Sequence, residues 1–188
     1  MSFIESYFKE FNDCLKRSVD KNCLKDLGEI VDILKRTKNT KEGIFLVGNG
    51  GSSAIAEHMA IDLTKNAGLK AQAFSGSPLL TTFANDYGYD LVFAKCIESF
   101  CQQGDVLFAI SSSGNSINIV KACEYAKKVG MKLITLTGFG EDNQVRKLGD
   151  YNLWVDSKAF GFVELAHNLM IHCINDAIIG STEYMIKG

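Results

Sequence analysis

Proline is almost missing from this sequence, and histidine and tryptophan are scarce. Its 188 residues contain one proline, Pro78, one tryptophan and three histidines. With a single proline and no low-complexity segment, the sequence shows no linker between domains, and its length suits one core that buries about 70% of the surface of the unfolded chain. We therefore predict one domain over residues 1–188.

Long apolar runs and an excess of charge of one sign are also missing. No segment approaches the run of about 20 apolar residues that a membrane span requires. Lysine and arginine total 20 against 22 aspartates and glutamates, so no global field favours nucleic acid or an anionic membrane. The sequence therefore predicts a soluble, cytoplasmic protein without nucleic-acid or membrane partners.

The cysteines form no recognisable pair. The sequence contains no C-x-x-C motif, and its charged N-terminal residues do not resemble a signal peptide. This pattern indicates reduced thiols that pack in the interior rather than disulfides or a thiolate metal site. The six residues are Cys14, Cys23, Cys96, Cys101, Cys123 and Cys173.

The sequence does have an alternation of short apolar strands and amphipathic helices. Apolar residues at helical spacing predict two helices in an N-terminal extension, residues 1–40. The core, residues 41–188, then alternates helices with strands that are apolar on both faces, a pattern typical of a parallel sheet covered by helices. The predicted fold class is α/β, a three-layer αβα sandwich around a five-stranded parallel sheet. The predicted strands are 44–47, 70–74, 106–110, 132–136 and 151–155.

A glycine-rich loop follows the first predicted strand. Gly48, Gly50 and Gly51 allow backbone conformations that other residues avoid, and they let a ligand approach the main chain. The helix that follows would direct free backbone N–H groups at an anion. A dinucleotide fits poorly, because Ser53 replaces the third glycine of G-x-G-x-x-G and no acidic residue ends the next strand. A simple strand-to-helix turn remains the alternative.

A serine-rich loop follows the third predicted strand in the same way. Hydroxyl groups and backbone N–H groups at the start of the next helix suit a phosphate. A helix cap by Asn115 or Ser116 is the simpler alternative. Because ligands of open parallel sheets bind at the carboxyl ends of the strands, the two loops predict a shared site for a phosphorylated small molecule. The serines are Ser111, Ser112, Ser113 and Ser116.

Imidazole and carboxylate side chains recur on the helix after the glycine loop and on the last helix. His58 and Asp62 are at i and i+4, on one helical face. On the last helix, Glu164 and His172 lie about 80° apart, whereas His167 and His172 lie about 140° apart, so only one of these two histidines fits a shared site. If the two helices meet, two imidazoles and two carboxylates can hold zinc. Otherwise the histidines have structural, hydrogen-bonded roles.

These motifs together resemble the SIS (sugar isomerase) domain family and, within it, the sedoheptulose 7-phosphate isomerases, also called phosphoheptose isomerases. The resemblance covers almost the whole chain. It implies the flavodoxin-like SIS fold in a single SIS domain. It also implies an aldose–ketose isomerase that converts sedoheptulose 7-phosphate to D-glycero-D-manno-heptose 7-phosphate, for nucleotide-activated heptose in bacterial lipopolysaccharide or capsule synthesis. The family further implies one zinc ion per subunit and a cytoplasmic homotetramer.

The resemblance also implies roles for individual residues. Asp62 and His172 would be catalytic and transfer protons. The metal ligands would be His58, Asp62, Glu164 and His172. The substrate-binding residues would be Asn49, Gly50, Gly51, Ser52, Asp62, Asn85, Asp86, Ser111, Ser112, Ser113, Ser116 and Glu164.

Four positions depart from the residues usual in the family. This chain has Asp62 where the family usually has a glutamate and Glu164 where it usually has a glutamine. It has Asn66 in place of an arginine and Gly161 in place of an aspartate. The shorter Asp62 side chain moves its carboxylate back by about one methylene, a displacement that matters in catalytic geometry. Glu164 adds a negative charge to the implied metal site. These changes affect the expected substrate and rate more than the expected fold.

Two other functions therefore stay open. One is a non-catalytic protein of the same fold, either an SIS adaptor similar to the replication-initiator-associating protein of bacteria or a sugar-phosphate sensor. The other is an isomerase of a different sugar phosphate, for which the same phosphate loops would serve. The acid–base residues at 58, 62 and 172 favour an enzyme, because an adaptor would tolerate their loss.

Large apolar residues on the first helix leave its packing partner open. Phe3, Phe8 and Phe11 offer more apolar surface than a helix pair alone hides, which favours a contact between subunits. Packing on the chain's own sheet is the alternative.

Overall fold

Two helices precede the first strand in the computed structural model, which describes residues 1–184. Helix α1 spans Phe3–Ser18 and helix α2 spans Lys21–Thr37. Ser2 and Asp20 cap them, each accepting a hydrogen bond from a backbone N–H of the first turn. The two helices therefore begin where polar side chains satisfy N–H groups that have no partner within the helix.

The rest of the chain alternates strands and helices. The strands are β1 (Ile44–Gly48), β2 (Ala71–Ala73), β3 (Val106–Ser111), β4 (Lys132–Thr137) and β5 (Tyr151–Trp154). The helices are α3 (Gly51–Lys65), α4 (Ser77–Tyr87), α5 (Val92–Phe100), α6 (Ile117–Val129), α7 (Gln144–Leu148) and α8 (Phe160–Ile179), with a 3₁₀ turn over Tyr89–Leu91. All five predicted strands are confirmed. No helix within residues 1–184 combines the length and apolarity that crossing a membrane requires.

The five strands form one parallel sheet in the order β2-β1-β3-β4-β5. Along β3, Phe108 and Ile110 contribute to the core on one face, and Leu107 and Ala109 to the core on the other. This alternation follows from the period of two in a strand. The predicted α/β fold with a five-stranded parallel sheet is confirmed. The strand order reverses between β1 and β3, where sheets of this order bind their ligands.

Helices cover both faces of the sheet. Leu34, Met59 and Ile171 belong to α2, α3 and α8 and are fully buried in the core on one face. Phe93 and Cys123 belong to α5 and α6 and are buried in the core on the other face. Each large apolar side chain removed from water contributes about 1.5–3 kcal/mol. This packing places α3 directly against α8.

Helix α1 packs on its own chain with only part of its apolar surface. Tyr7 and Phe11 contact Phe162 of α8, with ring centroids 4.8 Å and 5.5 Å apart. Phe3 and Phe8 are 81% and 63% exposed. Intramolecular packing therefore accounts for one side of α1 and leaves a second apolar side on the surface.

Candidate active site

The glycine loop and the serine loop lie side by side. Gly48, at the end of β1, pairs with Ile110 near the end of β3, so both loops leave the same edge of the sheet. The predicted adjacency of the loops is thus a feature of the fold. Between them lies a cavity of about 110 Å³. Its lining residues are Asn49, Ser52, Ile110, Ser111, Ser112, Ser113, Ser116, Phe160 and Glu164.

The glycine loop requires glycine at two of its positions. Gly50 has φ +53°, in the left-handed region that other residues rarely adopt. A Cβ on Gly48 would lie 2.6 Å from backbone atoms of Ser52, which cannot move aside as a flexible side chain could. Helix α3 begins here without a side-chain cap, so its first N–H groups stay available to a ligand at the cavity.

The serine loop leaves its hydroxyl groups similarly available. Ser116 occupies the N-cap position of α6, but its side chain makes no capping hydrogen bond. The Oγ of Ser112 is buried and has no hydrogen-bond partner among residues 1–184. A buried hydroxyl without a partner costs about 1–3 kcal/mol. Because Ser112 lines the cavity, a bound anion would supply the missing partner.

The side chain of Asn49 is held in place by two residues that the sequence interpretation missed. Asn49 and Asn118 exchange two amide hydrogen bonds of 2.9 Å each. The hydroxyl of Tyr89 donates to Asn49 Oδ1 at 2.9 Å. Asn118 lies on α6, so this contact exists only because β1 and β3 are neighbours. No local sequence pattern could reveal it.

Two histidines and an aspartate converge where α3 meets α8. Asp62 Oδ2 lies 3.3 Å from His58 Nε2 and 3.8 Å from His172 Nδ1. One ligand atom from each of the three residues lies within 4.8 Å of the others. The imidazole side chains are 48% and 40% exposed, so the cluster is accessible from solvent. Two imidazole nitrogens and one carboxylate oxygen match a catalytic zinc site with three protein ligands and one open position.

Glu164 lies outside this cluster and connects it to the loops. Its side chain lines the cavity between the loops and also a second cavity of about 400 Å³. His58 lines the second cavity as well. The carboxylate of Glu164 therefore lies between the loops and the histidines. The remaining residues that line the second cavity are Gly51, Ala54, Ile55, Gly161, Leu165 and Asn168.

Asn85 and Asp86 lie on helix α4. They are exposed, and Asn85 Nδ2 donates to Asp86 Oδ1 at 2.9 Å. Neither residue lines the cavity between the loops or the one beside His58. Within one chain the structure does not bring them to the other candidate residues, and their role stays a prediction.

His167 points into the core, unlike His172. It is fully buried, and its Nε2 lies 3.0 Å from the carbonyl oxygen of Thr137. Burial lowers the pKa of His167 from 6.5 to about 4. Of these two histidines, only His172 joins the cluster with His58 and Asp62, as the helical angles predict.

We expect the buried His167 to make the protein less stable in acid. The unfolded chain binds a proton at its imidazole near pH 6.5, whereas the folded protein resists protonation until its pKa of about 4. Stability is therefore lost as the pH falls through this range, by about 2 kcal/mol between pH 7 and pH 4.5. Urea unfolding of the wild type and of His167→Gln at both pH values measures it. An equal fall in the free energy of unfolding in both proteins would contradict the assignment.

Comparison with known proteins agrees with this geometry. The SIS domain family matches residues 6–138. Phosphoheptose isomerase from Helicobacter pylori strain P12 is 37% identical over 93% of this chain and 93% of its own length. The structure of phosphoheptose isomerase from Neisseria gonorrhoeae has a TM-score of 0.86 at 30% identity, covering 94% of this chain and 97% of that protein. The structure of a phosphoheptose isomerase from Francisella tularensis has a TM-score of 0.87 at 27% identity, covering 96% of this chain and 100% of that protein. This chain therefore belongs to the SIS domain family and, within it, to the phosphoheptose isomerases.

Proposed function

We propose that this protein converts sedoheptulose 7-phosphate to D-glycero-D-manno-heptose 7-phosphate with a zinc ion in its active site. The observation that carries the proposal is the convergence of His58, Asp62 and His172 close to the two loops. At these loops, helices α3 and α6 begin without a side-chain cap. The reaction would take place in the cytoplasm and supply heptose for lipopolysaccharide or capsule.

The loops would bind the phosphate with neutral donors. Backbone N–H groups at the starts of α3 and α6, together with the free hydroxyl of Ser112, suit phosphate oxygens. From Gly51 to His58 the helix rises about 10 Å. A seven-carbon sugar with its phosphate at C7 spans a comparable length, so its C1 and C2 would reach the histidines. Asn85 and Asp86 stay proposed substrate contacts.

Three residues would hold the zinc ion: His58, Asp62 and His172. Glu164, whose carboxylate lines the adjoining cavity, is the proposed fourth ligand and a substrate contact. A substrate oxygen would then enter as a fifth ligand, since catalytic zinc sites can expand to five. When bound, zinc supplies a Lewis acid that polarises a substrate oxygen.

Asp62 and His172 would move the protons. Aldose–ketose isomerisation transfers a proton between C1 and C2, which requires a base within reach of both carbons. The carboxylate of Asp62 offers about four lone-pair sites, so it would take this proton and return it while also holding the metal. His172 would transfer protons between the two substrate oxygens through Nε2, the ring nitrogen that does not face Asp62.

The surface of the subunit supports the proposed homotetramer. Besides Phe3 and Phe8 on α1, three large apolar side chains near the site are exposed: Ile61 by 60%, Leu165 by 49% and Leu169 by 51%. Such a concentration of exposed apolar residues is typical of a protein–protein contact. Sedimentation of the purified protein measures the assembly.

A panel of sugar phosphates, assayed with and without a chelator, tests the proposed function. We expect turnover of sedoheptulose 7-phosphate that falls at least tenfold after chelation and returns with added Zn²⁺. Pentose and hexose phosphates provide the comparison. Faster turnover of one of them would reassign the substrate, and binding without turnover of any sugar would indicate a sensor or adaptor. Turnover that persists fully after chelation would exclude the metal role.

A further inference from the structure

The residue after the last turn of α3 extends the series that begins at His58. His58, Asp62 and Asn66 follow one another at intervals of four residues, on one face of the helix. The two oxygens of Asp62 have different partners. Oδ2 faces the imidazoles, whereas Oδ1 accepts a hydrogen bond of 3.1 Å from the side-chain amide of Asn66. The amide therefore fixes the rotation of the carboxylate.

We propose that Asn66 is a positioning residue for Asp62. Rotation of a carboxylate about its last torsion turns both oxygens away from their partners, and this torsion is soft in a free aspartate. The amide at one oxygen opposes that rotation and keeps the other oxygen directed at His58 and His172. This inference rests on the proposed function, because it concerns the carboxylate that the proposal makes the base.

Asn66 is itself held from two directions. Its backbone N–H donates to the carbonyl oxygen of Asp62, so Asn66 continues the last turn of α3 as its C-cap. Its Nδ2 also lies 3.4 Å from the hydroxyl of Tyr184, and Asn175 Nδ2 lies 3.3 Å from the same hydroxyl. Asn175 is fully buried on α8. Asn66 is thus attached both to its own helix and, through Tyr184, to the helix that carries His172.

Position 66 has no direct part in the other functions of the site. Asn66 lines neither the cavity between the loops nor the cavity beside His58. A change at this position should therefore alter the reacting carboxylate and leave phosphate binding intact.

Two substitutions at Asn66 separate positioning from a general structural role. Asn66→Asp keeps the shape of the side chain but replaces the donor with a carboxylate that repels Asp62. Asn66→Gln keeps the amide on a side chain longer by one methylene. Loss of a hydrogen-bond partner to such a ligand typically costs tenfold to a hundredfold in activity or metal affinity. We expect a loss of that size in kcat for Asn66→Asp, with KM changed by no more than about twofold, and a smaller loss for Asn66→Gln.

The measurements are steady-state kinetics with sedoheptulose 7-phosphate at saturating Zn²⁺, and spectroscopic titration with Co²⁺. Asn22→Asp is the control, since it makes the same chemical change at an exposed position of α2. Urea unfolding of all variants identifies any loss of fold. Asn66→Asp should also bind Co²⁺ at least tenfold more weakly, and the control should match the wild type.

The outcomes separate this inference from the proposed function. If the wild type turns over the sugar and Asn66→Asp keeps its kcat, the positioning role is wrong and the function stands. If the wild type has no turnover, the Co²⁺ titration decides, and unchanged affinity in Asn66→Asp overturns the inference. A wild type that neither turns over the sugar nor binds Co²⁺ overturns both proposals. Equal losses in kcat for Asn66→Asp and Asn66→Gln also count against positioning.

Discussion

Asp62→Asn should lower kcat for sedoheptulose 7-phosphate by about a thousandfold, the scale of effect expected for loss of a general base. The substitution keeps the size of the side chain and its hydrogen-bonding reach to Asn66, but removes the charge beside both imidazoles. The phosphate would still bind, because the loops that hold it are built from other residues. Equilibrium binding of the sugar phosphate should therefore change by less than about tenfold.

Two comparisons isolate the role of the carboxylate as a base. Kinetics at saturating Zn²⁺ remove the contribution of weaker metal binding, and kcat should stay low. Asp32→Asn makes the same change on the exposed side of α2 and should leave kcat unaltered. Turnover of Asp62→Asn within tenfold of the wild type would show that another group takes the proton.

The elements that the sequence predicts well are those with an independent local signal. The strands could be predicted because their residues are apolar on both faces, and Phe108 and Leu107 do pack on opposite sides of the sheet. Helix α4 went unpredicted because its core-facing apolar residues, Leu79, Leu80, Phe83 and Ala84, are only partly buried and give a weaker signal than a fully buried face would.

The candidate site likewise has features that the sequence predicts and contacts that it does not. The spacing of His58 and Asp62 on one helix was visible in the sequence, and helical angles alone separated His172 from the buried His167. The contacts of Asn49 with Asn118 could not be predicted, because they depend on which strands are neighbours. Sequence spacing brings residues to a common face of one helix. The remaining contacts of the site join different helices and strands, and they depend on how these elements pack.

The contact between Asn66 and Asp62 is an intermediate case. The spacing of four residues between Asp62 and Asn66 was visible in the sequence. An asparagine at the end of a helix is common, however, so the spacing alone did not indicate a function. Only the division of the two Asp62 oxygens between Asn66 and the histidines gives the residue a specific task.

Gly114→Ala should destabilise the fold and displace the serine loop. Gly114 has φ +64°, and a Cβ at this position would overlap the side chain of Asn143. Asn143 cannot move aside freely, because it is 3% exposed and its amide donates to the carbonyl oxygen of Gly140 at 2.8 Å. The left-handed backbone costs about 1–2 kcal/mol for alanine, and overpacking adds about 1–3 kcal/mol. We expect the free energy of unfolding to fall by about 2–5 kcal/mol.

Gly180→Ala separates the cost of the left-handed backbone from the cost of overpacking. Gly180 has φ +88°, but no atom of residues 1–184 lies within 4 Å of its added Cβ, so only the backbone cost of about 1–2 kcal/mol applies. Urea unfolding of both variants measures the difference. Because Ser112 and Ser113 lie on the same loop as Gly114, Gly114→Ala should also raise KM for the sugar phosphate, whereas Gly180→Ala should not. Equal destabilisation, or an unchanged KM in Gly114→Ala, would show that the loop tolerates the added methyl group and that its exact course matters little for phosphate binding.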